Sequence, residues 1–373
     1  MKLLYIGHYK EHSGWAKAAI NNIKCINTTD INIVCRNLQL TEQDTQFKDE
    51  EILSLENKDT DNVDYCIQNV LPHHITGTDK FKKNIAYFMH ELDSIKDHNW
   101  YHNLKLVDEI WVPNSSLKIN LIKDGFDDSS IKVIPMPSDL SNYKDLGHRI
   151  KFGHKNHTFK VYFICDMDDR KNLESIIRCF HSEFHKSEPV SLVLKIKKNG
   201  VSPKALKEAV AHMCDEIKKH MRLYDNLEDY NHELIITDDF TEEQMNILHL
   251  SCDCYLGPTH GEGWGIPAFD AMCYGKTPIC SNEGGPKDYI DPNNKNTGWL
   301  VNGQMGICSH RNAAFKDLFT AKHHWFIPSE LEIKKAMRYY YENRVKNNKD
   351  GLEQARKFSY YNVGNIIKGA LYE

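Results

Sequence analysis

Thr259-His260-Gly261-Glu262-Gly263-Trp264-Gly265-Ile266-Pro267-Ala268-Phe269-Asp270-Ala271-Met272-Cys273-Tyr274-Gly275 follows an apolar run, Asp253 to Leu256, and leads into an amphipathic stretch. Its glycines therefore fall in a turn from strand to helix, where backbone N–H groups can approach a ligand and the helix N-terminus favours an anion. Such a turn suits a diphosphate. Glu262 lies in the glycine-rich loop and Asp270 about one helical turn inside, so the two carboxylates can grip different parts of one extended ligand. A lone glycine-rich loop is also what any tight strand-to-helix turn requires, and that reading stays open at this point.

Working outward, short runs rich in Ile and Val alternate with longer amphipathic stretches along the whole chain, the pattern of parallel-sheet α/β domains. Strands are expected at Lys2–Gly7, Ile31–Cys35, Tyr65–Val70, Asn84–Met89, Glu109–Pro113 and Lys132–Pro135, with helices at Trp15–Ile26, His98–Leu106 and Ser115–Asp124. A second series of strands is expected at Phe159–Cys165, Ser191–Lys195, Glu233–Thr237, Asp253–Leu256 and Thr277–Cys280, with helices over 172–184, 203–220, 241–251 and 266–274. Between the two series, Ser138 to His157 is polar and weakly periodic and reads as a linker. From about Ser329 the spacing is helical with no strand signal.

The chain has 373 residues, 47 Lys and Arg against 52 Asp and Glu, and a formal charge of −5. A hydrophobic fraction of 40% with 27% charged residues excludes large-scale disorder, and the slightly acidic balance supplies no global field for nucleic acid. Nothing in the sequence supports a peripheral membrane contact. No window approaches the ~18 apolar residues of a membrane span, and Met1–Ile6 is too short for a signal peptide, so a cytoplasmic protein is expected. The eleven cysteines are scattered without a C-x2-C pair and read as reduced thiols. Metal-ligand spacings are weak: His181-x3-His185 lacks an acidic second position, His8-x3-His12 spans a loop, and Asp166-Met167-Asp168 stands beside Arg170 and Lys171. No metal and no cofactor are expected.

The string from Thr259 to Gly275 resembles the E-x7-E region of retaining glycosyltransferase family 4, with Asp270 in place of the second Glu. The resemblance implies that Glu262 and the amides of Gly263, Trp264, Gly265 and Ile266 meet the donor sugar and phosphates, while Asp270 meets the nucleotide ribose. Tyr5-Ile6-Gly7-His8-Tyr9-Lys10-Glu11-His12-Ser13-Gly14-Trp15-Ala16 resembles the family's first strand and glycine loop, which puts Ser13 and Gly14 beside the donor; a serine near a helix start fits the spacing equally well. His90, closing Tyr87-Phe88-Met89-His90, resembles the strand-end histidine that reaches the transferred sugar. Asp166-Met167-Asp168-Asp169-Arg170-Lys171-Asn172 resembles the diphosphate-binding segment, with Lys171 at the lysine and Arg170 displaced from the usual arginine. As an alternative, Arg170 and Lys171 form a solvated pair neutralised by the three aspartates. Lys195 falls where base or phosphate can be met, although an exposed strand-end lysine is the commoner case. Asn282 to Ile290 and Asn296 to Val301 resemble the closing loop and strand.

The resemblance implies the GT-B fold, two Rossmann-like domains with parallel sheets facing a central cleft: an acceptor-side domain over 1–140, a linker over 141–157, a nucleotide-sugar domain over 158–350, and a C-terminal helix over 351–373 that returns to the first domain. It further implies metal-independent sugar transfer with retention, from a nucleotide diphosphate sugar to a glycan or lipid-linked acceptor. A non-catalytic nucleotide-sugar-binding subunit is the alternative, since Asp270 and the displaced arginine depart from the family's pattern.

Overall fold

The computed structural model describes residues 1–11, 13–40, 47–152, 158–311, 315, 317–345 and 348–373. His12 and linker residues 153–157 lie outside the described residues. The chain divides into two compact units, Met1–Asn142 with Arg356–Glu373, and Tyr143–Ala355.

In the first unit, β1 (Lys2–Gly7), α1 (Gly14–Asn27), β2 (Asn32–Asn37), α2 (Glu50–Glu56), β3 (Tyr65–Asn69), β4 (Lys83–Tyr87), α3 (Asn99–Leu104), β5 (Glu109–Val112), α4 (Ser115–Asp124) and β6 (Ile131–Val133) follow one another. The strands form one parallel sheet in the order β2-β1-β3-β4-β5-β6, so the winding reverses beside β1. Strands covered on both faces need apolar side chains throughout, and Ile33, Val34, Ile67, Ile85, Ala86, Ile110 and Val112 are all buried. His8 closes the sheet's carboxyl edge at that reversal. Its Nδ1–H donates to Leu38 O at 2.6 Å and its Nε2 accepts the Leu71 N–H at 3.0 Å, which joins the ends of three strands and fixes one tautomer. Burial pushes its pKa down. Both ring nitrogens are thus occupied by the backbone.

The second unit contains β7 (Phe159–Asp166), α5 (Leu173–Glu183), β8 (Val190–Lys197), α6 (Pro203–Met221), β9 (Glu233–Ile236), α7 (Glu242–Ser251), β10 (Cys254–Gly257), α8 (Ile266–Cys273), β11 (Thr277–Ser281), α9 (Pro286–Tyr289), β12 (Trp299–Val301), β13 (Gly303–Ile307), β14 (His324–Pro328), α10 (Glu330–Asn343) and α11 (Lys349–Arg356). A second six-stranded parallel sheet has the order β12-β11-β10-β7-β8-β9, which reverses between β7 and β10. In open α/β sheets, ligands bind outside the carboxyl ends of strands at such a reversal. β13 and β14 form a separate antiparallel hairpin that the sequence pattern did not announce. The chain ends in α12 (Tyr360–Tyr372), which packs on α1 and is fixed by the Cys25 thiol donating to Tyr360 O.

All eleven cysteines are free and buried. Lys195 departs from the exposed strand-end alternative: β8 runs two residues past it, and the side chain is buried within the sheet layer with its ammonium 5.1 Å from the Phe240 ring centroid. Burial pushes its pKa down. His181 and His185 do not share a helix face, because α5 ends at Glu183. Among the described residues, no helix is long and apolar enough to cross a membrane, and no three His, Cys, Asp or Glu side chains gather as a metal site.

At the β9 edge, Lys218 Nζ lies 2.6 Å from Glu233 Oε1 and His181 Nε2 lies 3.1 Å from Glu233 Oε2, which ties α5 and α6 to the sheet. Burial alone raises the Glu233 carboxyl, but His181 and Lys218 outweigh it and bring it down to about 2. A depressed carboxyl contributes stability above its unfolded pKa of ~4.3 and loses it as pH falls through the folded value. Glu233→Gln is therefore expected to cost roughly 2–3 kcal/mol at neutral pH, somewhat less than a fully broken buried pair because Asp215 also approaches Lys218. Urea denaturation should show the gap from the unaltered protein closing between pH ~4 and ~2.

Candidate functional site

Two loops leave the carboxyl edge of the second sheet at its reversal. The first follows β7: Asp168 Oδ1 accepts the Arg170 N–H at 2.9 Å and starts a single 3-10 turn over Asp169–Lys171. Asn172 then adopts φ 58°, a conformation Asn tolerates, and its amide donates to Pro258 O at 2.9 Å. This tight turn throws Arg170 and Lys171 toward the second loop, which follows β10 and carries Thr259 to Gly265.

Between the loops stands a charged core. Lys171 Nζ is 2.7 Å from Glu262 Oε1, and Arg170 Nη1 is 3.8 Å from Glu262 Oε2. Arg170 Nη1 also donates to Gly261 O at 2.6 Å, and the His260 N–H donates to Arg170 O at 2.8 Å. Each of the three side chains retains 16–17% of its exposure, enough to meet a ligand and little enough to strengthen the electrostatics. Burial alone raises the Glu262 carboxyl, but Lys171 and then Arg170 outweigh it and hold it below its ordinary range. The site therefore presents an ionised carboxylate beside two cations across the neutral pH range.

Glu262 is aimed by backbone packing from a third loop. The Gly285 N–H donates to Glu262 O at 3.1 Å; a Cβ on Gly284 would lie 2.2 Å from that oxygen, and one on Gly285 2.4 Å from Trp264 Cα. The segment from Asn282 to Pro286 is thus the platform under Glu262, a role its sequence alone did not assign. Gly265 (φ 80°) begins α8, with Pro267 in the first turn, where a missing N–H costs no helical hydrogen bond. The Trp264 indole is buried against Phe269 and Tyr289, so this residue offers the loop surface its backbone. Gly263 and Gly265 are buried and Ile266 is half-buried beside it.

Asp270 sits one turn into α8, largely buried, and accepts a hydrogen bond from the Tyr143 hydroxyl at 2.6 Å. Tyr143 stands edge-on to Tyr274, which stacks on His249. No pattern around Tyr143 in the sequence pointed to this partner; the contact spans 127 residues.

The remaining candidates belong to the first unit. Ser13 caps α1, its Oγ accepting the Ala16 N–H at 3.2 Å, and Gly14 opens the helix with nothing within 4 Å of where a Cβ would stand. Ser13 and Gly14 are both exposed at the carboxyl edge of the first sheet. His90 follows β4 at the same edge; it is buried, and its Nδ1 accepts the Leu92 N–H at 3.2 Å, which puts the ring proton on Nε2.

Residues 148–305 match the family model described as glycosyl transferases group 1. No curated protein matches the chain in sequence. Among solved structures, the chain is similar to HepE of Anabaena in complex with UDP-glucose, at 12% identity over 100% of this chain and 99% of that one, with a TM-score of 0.62. It is similar to sucrose-phosphate synthase of Thermosynechococcus elongatus, at 12% identity over 100% and 98% of the two chains, with a TM-score of 0.64. A third likeness is to an E. coli structure described as trehalose-6-phosphate bound with UDP-2-fluoro glucose, at 10% identity over 100% and 99%, with a TM-score of 0.66. At such identities the likeness is one of fold, and that fold is GT-B, with two Rossmann-like units each built on a six-stranded parallel sheet.

The glycine geometry separates two substitutions. Gly284→Ala places a side chain at φ 70° against the Glu262 carbonyl and is expected to cost about 1–3 kcal/mol, read as a lower urea midpoint. Gly14→Ala meets open space at a helix start and should leave the midpoint unchanged or raise it by a few tenths of a kcal/mol.

Proposed function

We propose that this chain is a glycosyltransferase that takes a sugar from a nucleotide diphosphate donor bound on the second unit and transfers it, with retention and without a metal, in the manner of family 4. The observation that carries the reading is the Glu262 carboxylate held between Lys171 and Arg170 at the sheet's reversal, beside the N-terminus of α8. The match to group 1 glycosyl transferases spans this site, and the structure similar to this one from Anabaena holds UDP-glucose.

In this reading the departing diphosphate gains negative charge as the bond to the sugar breaks. Lys171, Arg170 and the first-turn amides of α8 meet that charge in a fixed, half-buried geometry, where such donors stabilise a transition state most. Lys171 has three donors and gives one to Glu262, so it can serve carboxylate and phosphate together. Glu262, kept ionised, accepts from the sugar hydroxyls and fixes the ring's orientation; no nucleophilic role is assigned to it. Asp270 takes the ribose hydroxyls, with Tyr143 holding one of its oxygens. The acceptor, a glycan or lipid-linked hydroxyl, is assigned to the first unit, while Ser13 and Gly14 keep the donor role and His90 the transferred-sugar role that the resemblance implies.

The reading is tested by incubating the protein with uridine, guanosine and adenosine diphosphate sugars. One should raise the unfolding midpoint and be slowly hydrolysed, with proton NMR of the first-formed sugar showing the donor's anomeric configuration. Binding without any turnover of the bound donor would favour the non-catalytic subunit.

Two substitutions separate the carboxylates. Glu262→Gln should lower kcat by about 100-fold or more while nucleoside diphosphate affinity stays within about twofold, the pattern of an interaction made with the sugar in the transition state. Asp270→Ala should instead weaken nucleoside diphosphate binding by about 1–3 kcal/mol in calorimetry.

A further inference from the structure

The hairpin β13–β14 and the segment between its strands reach back to both loops of the site. On the β10 side, the His260 ring stacks on Trp325 with centroids 4.3 Å apart; His260 Nδ1–H donates to Phe326 O at 2.8 Å, and the Phe326 N–H donates to His260 O at 3.0 Å. On the β7 side, His310 Nε2 lies 3.0 Å from Asp168 Oδ1, and its imidazole is buried at 2% exposure, packed near Phe319 and Trp325. Arg311 takes Asp169 three ways: its N–H to Oδ2 at 2.6 Å, Nε to Oδ1 at 3.0 Å and Nη2 to Oδ1 at 2.7 Å. Nη2 also reaches Glu174 Oε1 at 2.8 Å.

The partners chosen are informative. Asp168 and Asp169 immediately precede Arg170 and Lys171 in one turn, so the four side chains sum to zero formal charge. A diphosphate approaching that turn meets two carboxylates with the two cations, and like charge within a few ångströms opposes binding strongly in a half-buried site. Burial raises the Asp169 carboxyl, yet Arg311 outweighs it and holds it below the ordinary range, so the charge stays in place and must be offset. Nothing in the catalytic reading uses His310 or Arg311, and both lie beyond the segment that matches the glycosyl transferase family.

We propose that His310 and Arg311 are positioning residues that draw Asp168 and Asp169 onto the hairpin segment, leaving Arg170 and Lys171 directed at the diphosphate and Glu262. The inference rests on the donor placement of the preceding subsection. It makes the hairpin an electrostatic counterweight: the segment contributes no contact to the ligand, and acts by removing competitors for the cations that do.

The test uses inorganic pyrophosphate, whose binding needs no knowledge of the base, measured by calorimetry on the full chain. Arg311→Ala with His310→Ala should weaken pyrophosphate binding about tenfold or more, because Asp169 then loses its guanidinium and Asp168 its imidazole partner, and both carboxylates can turn to the same cations as the ligand. Arg311→Lys should restore part of the loss. In a background of Asp168→Asn and Asp169→Asn, the first substitution keeps the turn, because its amide oxygen still accepts the Arg170 N–H. There the same pair of alanines should change binding less than about twofold, since no competing charge remains to be held. If the double alanine variant does not fold, Arg311→Ala alone carries the comparison, because its side chain is 67% exposed and its backbone bond to Asp169 survives.

Equal losses in both backgrounds would show a merely structural tether and overturn the proposal. Unaltered protein that binds pyrophosphate, with alanine variants that bind it equally well, would overturn this inference alone. Unaltered protein that binds no pyrophosphate would overturn the donor placement and this inference with it.

Discussion

The Lys171–Glu262 ion pair is the contact on which the second unit's site depends. It joins the loops after β7 and β10, the two strands between which the sheet's winding reverses. A carboxylate at that depth without a cation raises its pKa and neutralises. Beside Lys171 and Arg170, the Glu262 carboxyl is held below its ordinary range. Arg170 closes the same seam through its bond to Gly261 O, and the His260 N–H answers it through Arg170 O, so charge and backbone hold the loops in one arrangement.

That arrangement is possible because three glycines let backbone replace side chain. At Gly284 and Gly285 a third loop comes within contact of the Glu262 and Trp264 backbone, and at Gly265 the chain turns into α8 with φ 80°. The result is a carboxylate whose direction is set by main chain on two sides, while Phe269 and Tyr289 fill the space behind it around Trp264. Rigid support of this kind is what a site needs when its donors must already point where charge will develop.

The sequence carried the fold further than the site. Runs such as Val161–Ile164 and Leu192–Leu194 are apolar on both strand faces, and such runs belong to sheets covered by helices; each expected strand in both sheets falls within a few residues of the observed one. The hairpin was not legible, because Gly303-Gln304-Met305-Gly306-Ile307 is mostly exposed and holds two glycines, which erases the alternation that marks a half-buried strand. The exposed strand-end alternative for Lys195 failed for a related reason: a charged residue in an apolar run reads as a strand end, whereas the ammonium lies over Phe240 with its stem in the layer. In the site, the place of Glu262, Arg170 and Lys171 in the chain was legible, because each lies in the loop that follows an apolar strand run, and the structure brings the three side chains together there. Tyr143 on Asp270 and Arg311 on Asp169 were not, since each pairing joins residues more than a hundred positions apart and leaves no local period.

In the proposed function, the cations of the β7 turn take the donor's diphosphate and the Glu262 carboxylate takes its sugar. A crystal structure with a bound, hydrolysis-resistant nucleotide diphosphate sugar tests it most directly. Phosphate oxygens are expected within hydrogen-bonding distance of Lys171 Nζ and the Arg170 guanidinium, with a sugar hydroxyl donating to Glu262. A donor bound with its phosphates away from both cations, or with its sugar out of reach of Glu262, would contradict it.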